Sequence, residues 1–279
     1  MNRPDYRDTP DTFLPAWASA YGQDPYGYWA DLYLDENDLE NSPKQRFRWI
    51  PAGEFMMGSP EHEVERNSSE NYHQVTLSHG FWLADTACSQ AFWQAIMGDN
   101  PAHFTLSGQH PVERVSWHDT QDFVQRLNKK VASLNTTLPS EAQWEYACRA
   151  ASTSAFNFGE AISSKQVNFN GERPYADTPK SEFRKETVEV DSLSQNAWGL
   201  YQMHGNVWEW CQDHWQAELG TKAVTDPKTI TDDEEGRRVL RGGSWISLSM
   251  YCRSAIRYHY AADVRYNLCG FRLSLGLEL

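Results

Sequence analysis

The feature that most constrains this chain is the lack of sustained periodicity in its C-terminal half. Residues 150 to 195 are polar, are interrupted by glycine and proline, and show neither helical spacing nor strand alternation. Beyond residue 195 the sequence becomes strand-like only in short pieces, of which the best candidates are 199–210, 238–245 and 270–275. Long loops must join these pieces, and loops of such length within a compact domain usually carry function.

The N-terminal half carries clearer signals. Residues 46–59 alternate enough for a strand that a Pro-Ala-Gly turn breaks into a hairpin, and residues 73–83 predict another strand. Three short helices are predicted to begin after Ser89, Ser116 and Ser140, because a serine side chain can accept a hydrogen bond from a first-turn amide. A few short helices combined with short strands predict an α+β fold.

The first 45 residues precede these elements and are predicted to form an N-terminal extension that packs on a main domain of residues 46–279. Aromatic residues such as Trp17 and Trp29 argue against simple disorder in the extension. We expect residues 29–34 to add an edge strand to the main domain.

Composition narrows the classes of function. The net charge of −13 does not attract a phosphate backbone, so no nucleic-acid partner is expected. The sequence has no apolar run of about 18 residues, so no membrane insertion is expected. It has five cysteines, none at C-x-x-C spacing, and its N-terminus lacks the apolar core of a signal peptide. Together these features predict a reduced, cytoplasmic protein.

Seven segments, in a fixed order, carry a family resemblance. They are WIPAGEFMMGS at 49–59, HPVERVSW at 110–117, LPSEAQWEYA at 138–147, GLY at 199–201, GNVWEW at 205–210, RGGSW at 241–245 and GFRL at 270–273. Together they resemble the formylglycine-generating-enzyme, or sulfatase-modifying factor, family. The resemblance implies a C-type-lectin-like fold with much irregular structure. Residues 1–45 also resemble the N-terminal extension of family members from bacterial multi-gene conflict systems.

The resemblance implies three kinds of function, because the family includes copper oxidases that convert a sulfatase cysteine to formylglycine, iron-dependent sulfoxide synthases and non-catalytic binding proteins. The oxidases hold Cu(I) with two cysteines five positions apart. Cys252 falls on the second of these positions, but Ser247 occupies the first. A hydroxyl cannot replace a thiolate for this soft ion, so copper binding is not expected and Cys252 is interpreted as a buried, inert thiol. The sulfoxide synthases take their iron ligands from a separate helical domain, for which this chain has no room.

A calcium site is also implied by the resemblance. By position its ligands would be the side chains of Gln202 and Glu209 and the backbone oxygens of Gly205 and Val207, and hard oxygen ligands of this kind suit Ca²⁺. Gln202 stands where the family has Asn or Asp. The alternative is that Glu209 only forms hydrogen bonds with buried backbone.

A second resemblance covers residues 239–275, which are similar to the variable region of proteins diversified by retroelements. In such diversification the adenines of a template are randomised. The altered codons can then encode Tyr, His, Ser, Ile, Leu, Val, Asn or Cys, but never Glu, Gln, Lys or Trp. Residues 246–269 contain none of those last four types, and only Met250 departs from the reachable set among the free positions. The predicted ligand-binding residues are Ile246, Ser247, Leu248, Ser249, Tyr251, Ile256, Tyr258, His259, Tyr260, Val264, Tyr266, Asn267 and Leu268.

The residue types in this region suit recognition. Tyrosine offers a large amphipathic contact area at low entropic cost, and arginines can brace the loops with several donors each; they are Arg241, Arg253, Arg257, Arg265 and Arg272. The sequence therefore predicts a non-catalytic protein that binds a protein or other macromolecule through residues 246–268. Two alternatives stay open, namely an oxidase or other enzyme that uses Cys252, and an effector or scaffold domain of a bacterial conflict system.

Overall fold

The computed structural model describes residues 15–231, 233 and 236–276, and these contain three α-helices. They are α1 (Gln90–Met97), α2 (Trp117–Lys130) and α3 (Glu141–Arg149). Each begins at the predicted serine, since Ser89 Oγ accepts from the Phe92 amide, and Ser116 and Ser140 form capping boxes with the third residue of their helices. None of the described helices is long and apolar enough to cross a membrane.

The largest sheet has six strands in the order β1-β2-β3-β6-β13-β7. Its strands are β1 (Ala20–Asp24), β2 (Gly27–Tyr33), β3 (Lys44–Ile50), β6 (Phe81–Ala84), β7 (Thr136–Thr137) and β13 (Ser274–Gly276). The described part of the N-terminal extension thus contributes a hairpin to this sheet. The strand expected at 29–34 corresponds to β2, which begins two residues earlier and ends at Tyr33. It is second from the edge, because β1 pairs along its outer side.

Two smaller sheets complete the fold. The three-stranded sheet has the order β4-β5-β9, with β4 (Gly53–Met57), β5 (His73–Leu77) and β9 (Val224–Thr225). The four-stranded sheet has the order β11-β10-β8-β12, with β8 (Trp208–His214), β10 (Arg237–Arg241), β11 (Tyr258–Ala261) and β12 (Cys269–Gly270). The small number of helices and the short strands confirm an α+β fold.

Several details of the predicted strands were wrong. Of residues 199–210, only 208–210 lie in a strand, β8, and residues 270–275 belong to two short strands, β12 and β13. Residues 46–59 do not form a hairpin, because β3 pairs with β2 and β6 while β4 pairs with β5 in another sheet. Residues 73–83 form two strands in different sheets, β5 and β6, rather than one. The strand predicted at 238–245 ends at residue 241, because Gly242 and Gly243 both adopt positive φ, at 96° and 80°.

The main hydrophobic core lies where the six-stranded sheet, α1 and α2 meet the four-stranded sheet. Phe123 of α2 stacks on Trp93 of α1 and contacts Phe271 edge-on, with ring centroids 5.2 and 5.3 Å apart. Trp17 of the N-terminal extension joins the same core through Phe47, at 5.2 Å. The contact with Phe271 holds the chain segment that follows residues 246–268 against the core.

Candidate binding surface

Five arginines fix the C-terminal segment in place, as predicted. Arg241, which is fully buried, donates to the carbonyl oxygens of Ser254 and Ala255 at 3.0 Å and forms an ion pair with Glu145 on α3. Arg253 is also fully buried and forms a two-pronged pair with Glu70, at 2.6 and 2.8 Å. Paired charges with further carbonyl acceptors satisfy the donors of buried guanidinium groups.

The remaining three arginines reach other parts of the chain. Arg257 pairs with Glu141 at 2.6 and 2.9 Å, and Arg272 pairs with Glu209 at 2.6 and 2.8 Å. Arg265 is exposed and pairs with Asp119, at 2.6 and 2.7 Å. The carboxylates that hold all five arginines lie outside residues 246–268; they are Glu63, Glu70, Asp119, Glu141, Glu145 and Glu209.

Three tyrosines between these arginines form a continuous exposed aromatic group, which we call the tyrosine cluster (Tyr258, Tyr260 and Tyr266). Tyr258 and Tyr260 lie two residues apart on β11, so their side chains share one face of the strand. The ring centroids of Tyr258 and Tyr260 are 5.2 Å apart, and those of Tyr260 and Tyr266 are 5.1 Å apart, both edge-on. Tyr258 and Tyr266 are 37% and 49% exposed, which is high for packed aromatic side chains.

The tyrosine cluster rests on rigid support. Tyr258 stacks on the buried Trp208 of β8, with centroids 5.2 Å apart, and Tyr260 packs against the main core. Burial and the neighbouring Tyr258 raise the pKa of Tyr260, so its hydroxyl stays protonated over the physiological range. The cluster therefore presents uncharged rings with hydroxyl groups, a combination that suits protein recognition.

The other predicted binding residues divide between surface and interior. Ile246 and Leu248 are 45% and 37% exposed. Partly exposed positions add to this surface; they are Tyr251, His259, Val264, Asn267 and Leu268. His259 contacts Trp215, with ring centroids 4.4 Å apart, and its ring also lies nearly parallel to that of Tyr258, at 6.0 Å.

Three predicted binding residues lie in the interior instead, and their assignment to the surface was wrong. Ser247 Oγ accepts a hydrogen bond from the Ser244 amide at 2.9 Å, which closes a tight turn. Ser249 Oγ donates to the Arg173 carbonyl oxygen at 3.1 Å, and Ile256 belongs to the main core. Irregular loops bury such residues through distant contacts that sequence periodicity does not reveal.

Cys252 lies in a separate apolar cluster with Phe156, Phe169 and Tyr175. It is fully buried, and this burial raises the pKa of its thiol. A Cβ added at Gly243 would approach its Sγ to 2.7 Å, so the sulfur fills the space beneath that glycine. These contacts confirm the interpretation of Cys252 as a buried thiol.

The two side chains assigned to calcium, those of Gln202 and Glu209, already bond to other residues. Both carboxylate oxygens of Glu209 accept from Arg272, and one also accepts from the Trp144 indole at 2.6 Å. The Gln202 amide donates to the Glu189 carbonyl and accepts from Asn206, while the Gly205 amide donates to Gly242 at 2.7 Å. The charge of Glu209 is thus compensated by an arginine, and its recorded partners are side chains and not buried backbone groups. Val207, the fourth position, is buried in a small apolar cluster.

Sequence reasoning missed a buried pair beside Cys252. His204 Nδ1 lies 2.6 Å from the Cys252 carbonyl oxygen, and its Nε2 accepts from the Asn157 amide and lies 3.7 Å from Cys148 Sγ. Burial lowers the pKa of His204 to about 4 and raises the pKa of Cys148 to about 12, so both are neutral at physiological pH. The pair therefore supports the Cys252 loop. No local motif signals it, because the two residues are 56 positions apart.

Comparison with known proteins adds to this geometry. Residues 35–275 match the model of the sulfatase-modifying factor enzyme 1-like domain. The chain belongs to this family. It is 31% identical over 255 residues to the formylglycine-generating enzyme of Mus musculus, and the match covers 86% of this chain and 65% of the mouse protein. The chain therefore spans slightly less than two thirds of that relative.

Two solved structures share the fold. Treponema denticola variable protein 1 has 25% identity and a TM-score of 0.70, with 85% of this chain and 97% of that protein covered. PvdO from Pseudomonas aeruginosa has 24% identity and a TM-score of 0.73, with 93% and 99% covered. These similarities confirm the formylglycine-generating-enzyme type of C-type-lectin-like fold.

Proposed function

We propose that this chain is a non-catalytic binding protein that presents the tyrosine cluster, together with Ile246 and Leu248, to another protein. The observation that carries the proposal is the continuous contact of three exposed or partly exposed tyrosine rings, two of which lie on a strand supported by Trp208. Fixed aromatic rings lose little entropy on binding, and exposed apolar groups of this kind mark interaction sites.

Variation of this surface is part of the proposal. The carboxylates that hold the arginines lie outside residues 246–268, so the exposed side chains can change without loss of the ion pairs. Similarity to a structure named as a variable protein supports this function. An adenine-rich template repeat beside the gene that matches codons 239–275 would establish diversification by a retroelement.

The binding function can be tested with a matched set of variants. We expect the native protein to retain a specific protein from candidate partner preparations, and the double variant Tyr258→Ser, Tyr266→Ser to lose it. Tyr21→Ser is the control, because Tyr21 is 62% exposed on β1, outside the proposed surface. Equal retention by the double variant and the native protein would contradict the proposed surface.

An oxidase remains the second candidate, because the chain is similar to a formylglycine-generating enzyme. Two observations argue against an oxidase. The Ser247 hydroxyl is hydrogen-bonded with Ser244, and the thiol of Cys252 is buried. Copper-dependent oxygen consumption with a cysteine-containing sulfatase peptide, abolished by Cys252→Ala, would overturn the non-catalytic proposal. The third candidate is an effector or scaffold role in a conflict system, which the double tyrosine variant would leave intact.

A further inference from the structure

A recess lies outside residues 246–268. It is a cavity of about 340 Å³ between β4 and the turn that follows α3. A volume of this size falls in the range of small-ligand and side-chain pockets. The side chains that matter most for its chemistry are Glu54, Phe55, Met56, Tyr72, Tyr146 and Trp198.

The cavity follows a free strand edge. Residues 52–56 all line it, and since side chains alternate along a strand, a run of consecutive lining residues means that the cavity lies along the edge of β4 and not over one face. Within the described residues β4 pairs with β5 alone, as the terminal strand of its sheet. A free edge of this kind offers main-chain donors and acceptors to an added extended segment.

Aromatic rings form a corner inside the cavity. Tyr146 meets Trp198 at 4.9 Å and 67°, and meets Phe55 at 5.2 Å and 49°. Tyr146 is only 7% exposed, and its hydroxyl oxygen lies against Gly53. A Cβ at Gly53 would overlap this oxygen, so glycine leaves the space in which the hydroxyl lies.

Among the described residues, no unpaired positive charge lines the cavity. Glu54 is exposed and has no ion-pair partner among the described residues, although Gln74 and Thr76 donate to it at 2.8 and 3.3 Å. Arg149 also lines the cavity, but Glu145 pairs with it at 2.8 Å and compensates its charge. Glu54 and Phe55 are adjacent in β4, so the Glu54 carboxylate lies on the opposite face of the strand from the aromatic corner, and the faces of the rings themselves attract an ammonium or guanidinium group.

We propose that this cavity binds an extended peptide segment of a partner protein, which pairs with the free edge of β4 and inserts a lysine or arginine side chain into the corner formed by Phe55, Tyr146 and Trp198. This site shares no lining residue with residues 246–268, so it is independent of the tyrosine cluster.

The experiment uses three labelled, β-prone peptides that differ only at the central residue, which is lysine, norleucine or glutamate. Fluorescence anisotropy with the full chain is expected to show that the lysine peptide binds at least about fivefold more tightly than the norleucine peptide. Trp198→Leu is expected to weaken binding of the lysine peptide by about threefold, because it removes one aromatic face of the corner but keeps an apolar side chain. Tyr258→Ser is the control and is expected to bind the lysine peptide like the native protein.

Each contrary result has a defined meaning. Equal affinity for the lysine and norleucine peptides would overturn the recognition of a cation, and absence of binding at millimolar peptide would overturn the site. Slower deuterium exchange across residues 52–56 in the presence of the lysine peptide would support strand addition, whereas unchanged exchange would overturn it. Loss of peptide binding in Tyr258→Ser would place the peptide on the tyrosine cluster instead.

Discussion

Within residues 241–273, arginines and tyrosines differ in what surrounds them. Arg241, Arg253 and Arg272 are fully buried, and each is paired with a carboxylate from a distant part of the chain. Tyr258 and Tyr266 are exposed and contact mainly other aromatic rings. One short segment thus combines a buried frame, formed by the paired arginines Arg241, Arg253 and Arg272, with exposed side chains that contribute little to the stability of the fold.

Breaking the frame should have the largest effect. Arg272→Ala leaves Glu209 buried without its ion-pair partner, so we expect the free energy of unfolding to fall by about 3–5 kcal/mol. Arg265→Ala is the matched control, because its pair with Asp119 is partly exposed and should contribute about 1 kcal/mol or less. Urea denaturation measures both. A similar loss in the two variants would contradict the distinction between frame and surface.

Two isoleucines at predicted binding positions test the same distinction. Ile256 lies in the main core, so Ile256→Ala should lower the free energy of unfolding by about 2–5 kcal/mol. Ile246 is 45% exposed, and Ile246→Ala should change it by about 0.5 kcal/mol or less. Thermal and chemical denaturation of the two variants provide the measurement. A small change in the free energy of unfolding for Ile256→Ala would indicate that Ile256 belongs to the binding surface.

The pH dependence of stability compares Asp85, a buried carboxylate that has no ion pair among the described residues, with the paired carboxylate of Glu209. Burial, opposed by Arg48, raises the pKa of Asp85 to about 7, and among the described residues Asp85 has no ion-pair partner of the kind that Glu209 has. Because the folded protein holds this proton more tightly than the unfolded chain, whose pKa is about 3.9, stability should fall as the pH rises from about 4 to about 7.

Asp85→Asn should therefore reduce that fall, and denaturation at several pH values will measure it. Asp213, whose pKa burial raises to about 6, should preserve part of the pH dependence in this variant. An identical pH profile in the native protein and Asp85→Asn would show that Asp85 does not titrate in this range.

The smallest effect is expected for calcium. Since Arg272 already compensates Glu209, millimolar Ca²⁺ or a chelator should leave the melting temperature within about 1 °C of its starting value. Differential scanning fluorimetry measures this directly, with Mg²⁺ as the control ion. A rise of several degrees that is specific to Ca²⁺ would support the calcium site at Gln202, Gly205, Val207 and Glu209.

Local signals predicted the features whose causes are local. Ser116 and Ser140 marked helix starts because a cap depends on residues only three positions apart. The role of Arg253 was also predictable, since a buried guanidinium needs several acceptors. The partners themselves were not predictable, because Glu70 lies 183 positions away.

The sequence predictions were wrong where contacts between residues far apart in the chain determine the structure. Residues 46–59 alternate like one hairpin, yet β3 and β4 find different partners. Ser249 and Ile256 belong to the residue types that diversification can yield, but residue type says nothing about which way an irregular loop turns. The cavity beside β4 was missed because Phe55, Tyr146 and Trp198 come from three separated segments.

The arginine pairs also constrain how residues 246–268 can be altered. Arg253, Arg257 and Arg265 meet carboxylates at Glu70, Glu141 and Asp119, so the segment is fastened at fixed intervals along its length. A substitution between two fastening points leaves that spacing intact, whereas one inserted or deleted residue would pull the next arginine out of reach of its carboxylate. Libraries built on this chain should therefore vary residue identity and keep the length constant.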